Sequence, residues 1–560
     1  MMSSALTAGP KIVPAKRTTL DGQDLKILVE AALIWLKTNQ QLVNSLNVFP
    51  VPDGDTGTNM LLTMQAAYSE IANSGERNIG KVAHAVAQGA LMGARGNSGV
   101  ILSQIWRGFA RTLDSLDTAD AQTIVHALVE SRNTAYKGVV RPVEGTILTV
   151  INDISVAGTE ALKDTQDLTS LLQVLVSAAN VSVQHTPELL PILKQAGVVD
   201  SGGKGLFIIL EGMLRHIQGE SLETAVASVQ PLSALDLEQT MDAVEPGQEV
   251  EVVIDFRPNT QLNLDLFYSD LAKIGTSIQI GEGDGMYRMH IHVPREKQDE
   301  PLAYVKTMGV WTKVAMENLE AQMKQIEENS GSEDYHLQPV EPDQIAVIAV
   351  SPGKGISKIF ASLGVNGIVE GGQTMNPSTE EILASFDHLP TDKIIILPNN
   401  KNIILAAQTA STVSSKNVAV IQSTSIPQGL SALLHLDPDC NFDRLVSEMN
   451  EALKDVETGE ITKATRSVEL NGVQVQQGET IALLNGKLVY SASEIEDALI
   501  HLLEAAHTEE YERITLFYGL DVSKKEVDKL AEVVRKIYPS HEIEIHEGGQ
   551  PHYYYIVSIE

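Results

Sequence analysis

Cysteine is almost absent from this chain of 560 residues. The single thiol, Cys440, excludes an internal disulfide and any zinc site built from several cysteines. This cysteine usage fits a reducing cytoplasm. No apolar run approaches the length of a membrane span, and residues 1–17 lack the apolar core of a signal peptide. We therefore expect a cytoplasmic protein without membrane insertion.

Basic residues are also scarce, because 41 lysines and arginines stand against 73 aspartates and glutamates, a formal net charge of −32. Nucleic-acid interfaces need a basic face, so this balance argues against a nucleic-acid partner. A nucleotide site in such a chain must recruit positive charge, which a divalent cation supplies. The apolar content of 43% suffices for globular folding, and the length predicts about three or four domains.

The N-terminal half of the chain is patterned as helices. Residues 1–19 are expected to form a disordered tail, and residues 20–225 carry apolar residues at helical spacing. This pattern predicts an all-α bundle of eight helices. The first begins at an Asp21 cap and includes Trp35, and the others are Thr58–Asn73, Ile79–Gly93, Ser98–Leu113, Ala119–Tyr136, Gly145–Glu160, Leu168–His185 and Gly203–Gln218.

Residues 245–330 are predicted to form a small α+β domain, between linkers near Ser221–Gly247 and Asn329–Asp343. Its predicted elements are the strands Gln248–Phe256 and Tyr287–Pro294 and the helices Leu262–Ile274 and Glu300–Glu328.

Residues 343–560 alternate short apolar strands with helices, which predicts an α/β domain. Within it, Ala464–Leu488 is strand-rich and is interpreted as an insertion. The loops Ser351–Gly355, Gly371–Pro377 and Leu397–Asn402 follow strands, where doubly wound folds bind ligands. None matches GxxxxGK[ST], so a second ATP site is not expected.

The most informative segment is Asn47–Met60, which reads N-V-F-P-V-P-D-G-D-T-G-T-N-M. Asp-Gly-Asp alone is usually a turn, but here prolines precede it and the polar residues Thr56, Thr58 and Asn59 follow. Asp53 and Asp55 suit Mg²⁺, which takes one or two protein carboxylates together with nucleotide phosphates. A helix start at Thr58–Asn59 with outward amides suits the phosphates. The segment therefore predicts a metal–nucleotide site.

A second glycine-rich loop, Gly93–Gly99, opens another helix. Gly96 and Gly99 permit close backbone approach, while Asn97 and Ser98 are suited to capping and phosphate contact. Taken alone, the loop is better interpreted as a tightly packed helix start than as a phosphate site. Arg95 is its fixed cation and could neutralise a transferring phosphate, although a surface salt bridge is equally consistent.

These motifs resemble the ATP-binding L domain of dihydroxyacetone kinases, in the branch that contains the ATP-binding subunit of bacterial fatty acid kinase. The resemblance runs from about Leu20 to the C-terminus and implies an L-type helical domain, a middle α+β domain and a DegV-like C-terminal domain. It implies that Asp53 and Asp55 hold Mg²⁺ against ATP. The family's third aspartate is missing, and Asn47 is expected to offer an amide oxygen instead.

Two further helix starts match the same family. Arg141–Thr146 contributes Thr146, which the resemblance places in the lining of the nucleotide site. Asp200–Gly205 contributes Asp200 and Ser201, which correspond to the stretch near the ribose. By sequence alone both segments are ordinary caps and turns.

A metal site is also considered in the middle domain. His290 and His292 stand two apart on a predicted strand, so both imidazoles face the same side and can meet one ion. The family resemblance implies zinc with a cysteine, but Glu249 falls near the expected cysteine position. A structural Zn²⁺ on these three residues, an outward-facing polar pair and an empty site all stay open.

For function, the resemblance implies Mg²⁺-dependent phosphorylation of a fatty acid carboxylate, giving acyl phosphate for phospholipid synthesis and ADP. Only about 20 residues precede the L-type domain, so the substrate comes from the remaining chain or from another protein. The family implies that a DegV-type partner presents the fatty acid, and that the chain forms a homodimer through its middle domain. A kinase of a small polyol or ketone, and a nucleotide-holding regulatory scaffold, are the alternatives.

Overall fold

The computed structural model describes residues 17–47, 54–222, 230–231, 250–259, 262, 264–283, 286–318, 336–465, 467–470 and 472–560. These residues fall into two compact units. The first contains the described residues up to 222 together with 378–380, and the second contains the others. Asp53, Glu249, residues 1–16 of the expected tail, most of the first expected linker and residues 329–335 of the second lie outside the described residues. In the part described, every helix is too short or too polar to span a bilayer.

Eight long helices build the first unit, as the apolar spacing predicted, and two short helices accompany them in the described chain. The long helices are α1 (Gly22–Thr38), α3 (Thr56–Ser69), α4 (Ile79–Met92), α5 (Gly96–Leu113), α6 (Ala121–Lys137), α7 (Ile147–Ala161), α8 (Leu168–Leu189) and α10 (Ser201–Gln218). The short ones are α2 (Gln40–Leu46) and α9 (Pro191–Ala196). A two-stranded pair, β1 (Thr19–Leu20) and β2 (Ala119–Asp120), completes the unit. The all-α prediction is confirmed.

Sequence-local caps explain where several of these helices begin. Asp21 accepts hydrogen bonds from the backbone amides of Gln23 and Asp24, and the Asp24 carboxylate accepts one from the Asp21 amide in return. This reciprocal arrangement is the capping box that the Asp21 cap anticipated, and a cap of this type stabilises a helix by about 1 kcal/mol. Inside the bundle, Trp35 is fully buried with Met60 and Met64.

The middle part of the second unit is a five-stranded sheet of order β3-β5-β6-β4-β7 flanked by two helices. The strands are β3 (Gln230–Pro231), β4 (Val250–Pro258), β5 (Thr276–Gly283), β6 (Met286–Val293) and β7 (Gly309–Asn318), and the helices are α11 (Leu264–Leu271) and α12 (Glu300–Met308). The predicted helix Glu300–Glu328 is wrong for Gly309–Asn318, and its last ten residues lie outside the described residues. Gly309 ends α12 with extended backbone, and the chain then pairs with β4, because tertiary pairing overrides local spacing.

The C-terminal part contains a four-stranded parallel sheet of order β11-β10-β8-β9 and a six-stranded mixed sheet of order β16-β15-β12-β19-β17-β18. The parallel strands are β8 (Ile345–Ser351), β9 (Gly367–Glu370), β10 (Lys393–Leu397) and β11 (Asn417–Val420). The mixed sheet contains β12 (Glu457–Lys463), β15 (Thr480–Leu484), β16 (Lys487–Ala492), β17 (Arg513–Tyr518), β18 (Glu542–Glu547) and β19 (Tyr553–Ile559). The α/β prediction is confirmed.

Seven helices and one hairpin accompany these two sheets in the described chain. The helices are α13 (Lys354–Ser362), α14 (Thr379–Asp387), α15 (Ile404–Val413), α16 (Ile426–Leu433), α17 (Phe442–Ala452), α18 (Ile495–Ala505) and α19 (Lys524–Ile537). The hairpin consists of β13 (Val468–Leu470) and β14 (Val473–Val475). Reading Ala464–Leu488 as an insertion is wrong for its later half, because β15 pairs with β12 inside the large sheet.

Candidate functional site

Helices α3, α5, α7 and α10 begin at four of the segments that the sequence analysis singled out. In an up-and-down bundle every second helix starts at the same end, which brings such segments together. Ser201, at the start of α10, donates a hydrogen bond from Oγ to Thr56 Oγ1 at the start of α3 (3.1 Å). A Cβ atom at Gly99, in the first turn of α5, would lie 2.4 Å from Thr63 Oγ1 of α3. The glycine therefore lets the beginning of α5 pack directly against α3.

Asp200 links the start of α10 to the start of α7. It is the N-cap of α10, and its Oδ2 accepts a hydrogen bond from the Gly203 amide at 2.6 Å. The Ile147 backbone, in the first turn of α7, also bonds to this carboxyl group. Burial raises the pKa of Asp200 to about 6, although both hydrogen bonds act in the opposite direction. The same side chain thus connects two helix starts at an electrostatic cost.

Asp55 is the predicted Mg²⁺-binding carboxylate that the structure describes, since Asp53 lies outside the described residues. It is the N-cap of α3 and is 6% exposed. Gly54 has φ = 56°, a left-handed conformation that glycine adopts freely, and so the chain can turn between the two aspartates. Asn47 donates from Nδ2 to Asp55 Oδ1 at 3.1 Å. The amide nitrogen of Asn47 therefore faces the carboxylate, and its Oδ1 is the atom to which the expected oxygen-ligand role falls.

The donor groups around Asp55 fit a Mg²⁺–nucleotide site better than a metal site made by protein alone. Among the described residues, no group of three or more histidine, cysteine, aspartate and glutamate side chains could hold a metal ion. Mg²⁺ keeps several waters and commonly takes only one or two carboxylates together with phosphate oxygens. A buried carboxylate beside an amide, at the meeting point of helix starts, meets that requirement.

Asn44 is a residue of the candidate site that the sequence analysis missed. Its Oδ1 accepts hydrogen bonds from the backbone amides of Gly57 (2.7 Å) and Thr58 (3.1 Å), and its Nδ2 donates to Thr58 Oγ1 (3.1 Å). Gln40 Nε2 donates to the same hydroxyl oxygen (2.9 Å). The expectation of outward amides at Thr58–Asn59 is therefore wrong: α3 starts at Thr56, and Asn44 occupies two of its first amides.

The start of α5 is arranged differently from the starts of α3, α7 and α10. Arg95 occupies the N-cap position, and its side chain makes no capping hydrogen bond to the helix. Gly96 follows with φ = 57°, and Asn97 and Ser98 lie in the first turn. First-turn amides that no N-cap side chain occupies are the donors that bind phosphate oxygens. The lack of an N-cap side chain at this start suits phosphate contact.

Thr146 is held in a structural role at the start of α7. Its Oγ1 accepts a hydrogen bond from the Leu148 amide (3.3 Å) and donates one to the Val143 carbonyl (2.8 Å). In the preceding loop, Glu144 accepts a hydrogen bond from the Tyr136 hydroxyl, and burial together with this carboxylate raises the pKa of Tyr136 to about 12. These bonds fix the loop that leads into α7.

The combined electrostatic effect of these helix starts favours an anion. Each helix N-terminus carries about half a unit of positive charge, and anions near it are stabilised by about 0.3–1 kcal/mol. The starts of α3 and α10 are in contact beside the buried carboxylate of Asp55, and Asp200 joins the start of α10 to that of α7, in a chain whose formal net charge is −32. The arrangement suits a polyphosphate that arrives together with a divalent cation.

The histidine pair of the middle sheet is buried, so its interpretation as an outward-facing polar pair is wrong. His290 and His292 are 0% and 3% exposed, and their ring centroids are 4.9 Å apart. The two rings thus share a face of β6, as the spacing predicted. The third expected ligand, Glu249, lies outside the described residues, and the described ones supply no three-ligand metal group. The geometry therefore gives zinc no support.

Comparison with family models defines the class of the protein as kinase-related. The family model described as the DAK2 domain matches residues 50–215. Two FakA-like models of fatty acid kinase, for its middle domain and its C-terminal region, match residues 245–326 and 346–560. An uncharacterised protein of Staphylococcus aureus (strain USA300) is 37% identical over 533 residues, which cover 94% of this chain and 96% of the relative. The chain belongs to the FakA-like family of fatty acid kinase subunits.

Solved structures with a similar fold match parts of the chain. The fatty-acid-binding DegV family protein of Thermus thermophilus is 17% identical, covers 39% of this chain and 99% of its own, and has a TM-score of 0.29. The Streptococcus pneumoniae fatty acid kinase B3 protein loaded with linoleic acid is 15% identical, with coverages of 33% and 76% and a TM-score of 0.27. The C. freundii dihydroxyacetone kinase in complex with AMP-PNP and Mg²⁺ is 14% identical, with coverages of 39% and 38% and a TM-score of 0.28. Scores this low carry no argument about ligand or activity.

Proposed function

We propose that this chain transfers the γ-phosphoryl group of ATP to the carboxylate of a fatty acid held by a DegV-type partner, which yields an acyl phosphate and ADP. The observation that supports the proposal most is the contact between the starts of α3 and α10 beside the buried carboxylate of Asp55, to which Asp200 joins the start of α7. Such a site suits Mg²⁺ and a polyphosphate. Membership of the FakA-like family of fatty acid kinase subunits supports the choice of acceptor.

The proposed roles follow the positions of the side chains. Asp53, Asp55 and Asn47 are assigned to Mg²⁺, which when bound would offset the charge of the phosphates. Arg95 is assigned to the transferring phosphoryl group, because it stands at the α5 start that no N-cap side chain occupies. The proposed nucleotide contacts are Thr56, Thr58, Asn59, Gly96, Asn97, Ser98, Gly99, Thr146, Asp200 and Ser201.

The proposed reaction needs no general base. A fatty acid carboxylate is already ionised at pH 7, so no proton has to be removed from the nucleophile. One carboxylate oxygen forms a bond to the γ-phosphorus, while the bond from that phosphorus to the β–γ bridging oxygen breaks and its electron pair leaves with ADP. The contribution of the protein is to position the phosphates and to offset their negative charge, through the helix starts and Arg95.

A second protein belongs to the proposal because the family is described as one subunit of a kinase. In this proposal the L-type helical domain binds ATP. A DegV-type partner binds the acyl chain and docks on the C-terminal domain. We also propose a homodimer formed through residues 245–330 and a cytoplasmic location. The domain boundaries 20–225, 245–330 and 343–560 stay predictions.

The decisive experiment measures ADP release from Mg-ATP and oleate, with and without a DegV-type protein of the same organism, while hydroxylamine traps any acyl phosphate. Turnover and hydroxamate only with the partner present would support the proposal. Asp55→Asn should then lose at least about 100-fold in turnover, whereas Asp120→Asn, at the start of α6, should keep wild-type turnover. Tight nucleotide binding without hydroxamate under any condition would refute the kinase proposal and favour a nucleotide-holding scaffold.

A further inference from the structure

The loop Gly93–Gly96, which carries Arg95 and leads into α5, packs closely against α3. A Cβ atom at Gly93 would lie 2.2 Å from the Cβ atom of Ala66 in α3. The hydroxyl oxygen of Thr63, also in α3, lies 3.5 Å from the Gly93 carbonyl oxygen. The loop therefore begins in direct contact with the helix that starts after Asp55.

A second contact to this loop comes from residues 378–380, which lie far along the chain but belong to the same compact unit as the bundle. Arg95 and Ser378 form an antiparallel β-bridge. The backbone amide of Thr379, the first residue of α14, donates a hydrogen bond to the Ala94 carbonyl (3.2 Å). Backbone pairing thus joins the loop to the start of α14.

The groups that make this pairing are shielded from water. Ala94 and Thr379 are 0% exposed, and Ser378 is 5% exposed. A buried backbone hydrogen bond is costly to break, because the separated donor and acceptor would stay without a partner. Solvent cannot easily replace the Thr379 donor, and so the pairing constrains the loop.

The pairing also determines the backbone conformation of Arg95. This residue has φ = −123° and ψ = 139°, the extended conformation of a paired strand, and Gly96 then turns the chain into α5 with φ = 57°. In an extended segment the direction of each Cβ atom is fixed by the plane of pairing. The β-bridge with Ser378 therefore sets the direction in which the Arg95 side chain leaves the backbone.

We propose that Ser378 and Thr379 are positioning residues for Arg95, and that their backbone pairing with the loop before α5 directs the guanidinium to the transferring phosphoryl group. The inference rests on the proposed kinase function, because that function assigns Arg95 to this group. It adds to the site a contribution from residues that the sequence places in the predicted C-terminal α/β domain. Ser378 and Thr379 act through Arg95 and are not assigned a contact with the nucleotide.

The test removes the Thr379 amide by substitution with proline. Proline is favoured at the first residue of a helix, the position of Thr379 in α14, and its ring replaces the donated hydrogen. In the ADP-release assay with partner and oleate, Thr379→Pro should lower kcat about 10-fold, because a displaced cation stabilises the transition state poorly. KM for Mg-ATP should change less than about 3-fold, since ground-state binding is retained.

Two further variants frame this result. Ser378→Gly is a milder change that gives the paired backbone more freedom, and it should lower kcat about 3-fold. Lys524→Pro is the matched control, because it places proline at the first residue of α19, and it should keep wild-type turnover. Wild-type kcat in both Thr379→Pro and Ser378→Gly would overturn the inference.

A double-variant cycle separates positioning of Arg95 from a general loss of stability. In the Arg95→Met background, Thr379→Pro should lower kcat by less than about 2-fold, because the positioned cation has already been removed. A further loss of about 10-fold in that background would show that Thr379 does not act through Arg95, and it would overturn the inference.

Amide hydrogen exchange provides a readout that does not require turnover. Exchange at Gly96–Gly99 should become at least about 3-fold faster in Thr379→Pro and stay at the wild-type rate in Lys524→Pro. If the wild type formed no hydroxamate with its partner, the kinase proposal would fail, while faster exchange would still show that Thr379 constrains the loop. Unchanged exchange in Thr379→Pro and Ser378→Gly would overturn the inference in an active kinase as well.

Discussion

Replacing Asn44 by alanine should weaken both the helical bundle and its affinity for nucleotide. The side chain makes three hydrogen bonds to the start of α3, two to the amides of Gly57 and Thr58 and one to Thr58 Oγ1. Each is worth about 1 kcal/mol net, and the two amides would lose their protein acceptor inside a packed helix end. We expect Asn44→Ala to lower the free energy of unfolding by about 2–3 kcal/mol. The same change loosens the turn that carries Asp55, so Mg-ATP affinity should fall about 10-fold.

The assay pairs urea unfolding with calorimetric titration of Mg-ATP, and it needs a control that removes a cap elsewhere. Asn78 caps α4 by accepting from the Lys81 amide (2.9 Å) and donates from Nδ2 to Asp117 (2.8 Å) beyond the end of α5. Its position is at the opposite end of α5 from Gly96. Asn78→Ala should therefore cost about 1–2 kcal/mol of stability without changing nucleotide affinity.

Two results would refute this reasoning. If Asn44→Ala changed the unfolding free energy by less than about 0.5 kcal/mol, the three hydrogen bonds would not stabilise α3 in solution. If it destabilised the protein as Asn78→Ala does and bound Mg-ATP like the wild type, Asn44 would be an ordinary cap with no part in the site.

Three further changes probe the site and the middle sheet. Asp200→Asn should stabilise the protein at pH 7–8 by up to about 3 kcal/mol, because burial raises the pKa of the Asp200 carboxyl group to about 6 and its ionised form is unfavourable in the folded protein. The free energy of unfolding of the wild type should therefore fall as the pH rises from about 4 to 6. Urea unfolding should show that the stability difference between the variant and the wild type disappears below about pH 4. Gly99→Ala should weaken Mg-ATP binding about 10-fold in the same titration, since its Cβ would lie 2.4 Å from Thr63 Oγ1. Arg288→Met should cost about 3–5 kcal/mol in unfolding experiments, because it leaves the buried Asp255 carboxylate without its bidentate partner.

Each of these predictions has an internal control. An Asp200→Asn gain that persists unchanged at pH 4 would show that desolvation of the carboxylate is not its source. Thr63→Ala combined with Gly99→Ala should recover part of the affinity, and failure to do so would place the obstruction elsewhere. The double variant Asp255→Leu with Arg288→Met should recover most of the lost stability, and an additive loss would contradict the burial argument.

The helices of the bundle could be predicted from sequence because their apolar residues repeat at helical spacing and their caps are local. Asp21, the predicted cap, stands three residues before Asp24, and the structure joins the two in a capping box. The strand Gly309–Asn318 could not be predicted in this way. It follows a helix without a polar break, and only pairing with β4, more than 50 residues earlier, makes it a strand.

The candidate site shows the same division between local and distant causes. The segments that contain Asp55, Gly96, Thr146 and Asp200 carry polar and glycine residues, which mark helix starts in the sequence itself. No sequence rule connects Asn44 to a helix that starts after Asp55, because side-chain caps are usually sought at the residue that precedes the helix. That cap comes from another helix, α2, and becomes visible only when the two helices are packed.

The order of strands in the six-stranded sheet determines when that sheet can form on the ribosome. β19 lies between β12 and β17, so two pieces of the sheet are joined only by the strand that is synthesised last among them. A nascent chain that has already released β12 and β17 must keep both edges unpaired until Tyr553–Ile559 emerges, and exposed strand edges recruit other chains. Premature termination before Tyr553 should therefore yield an aggregating product rather than a shorter soluble protein.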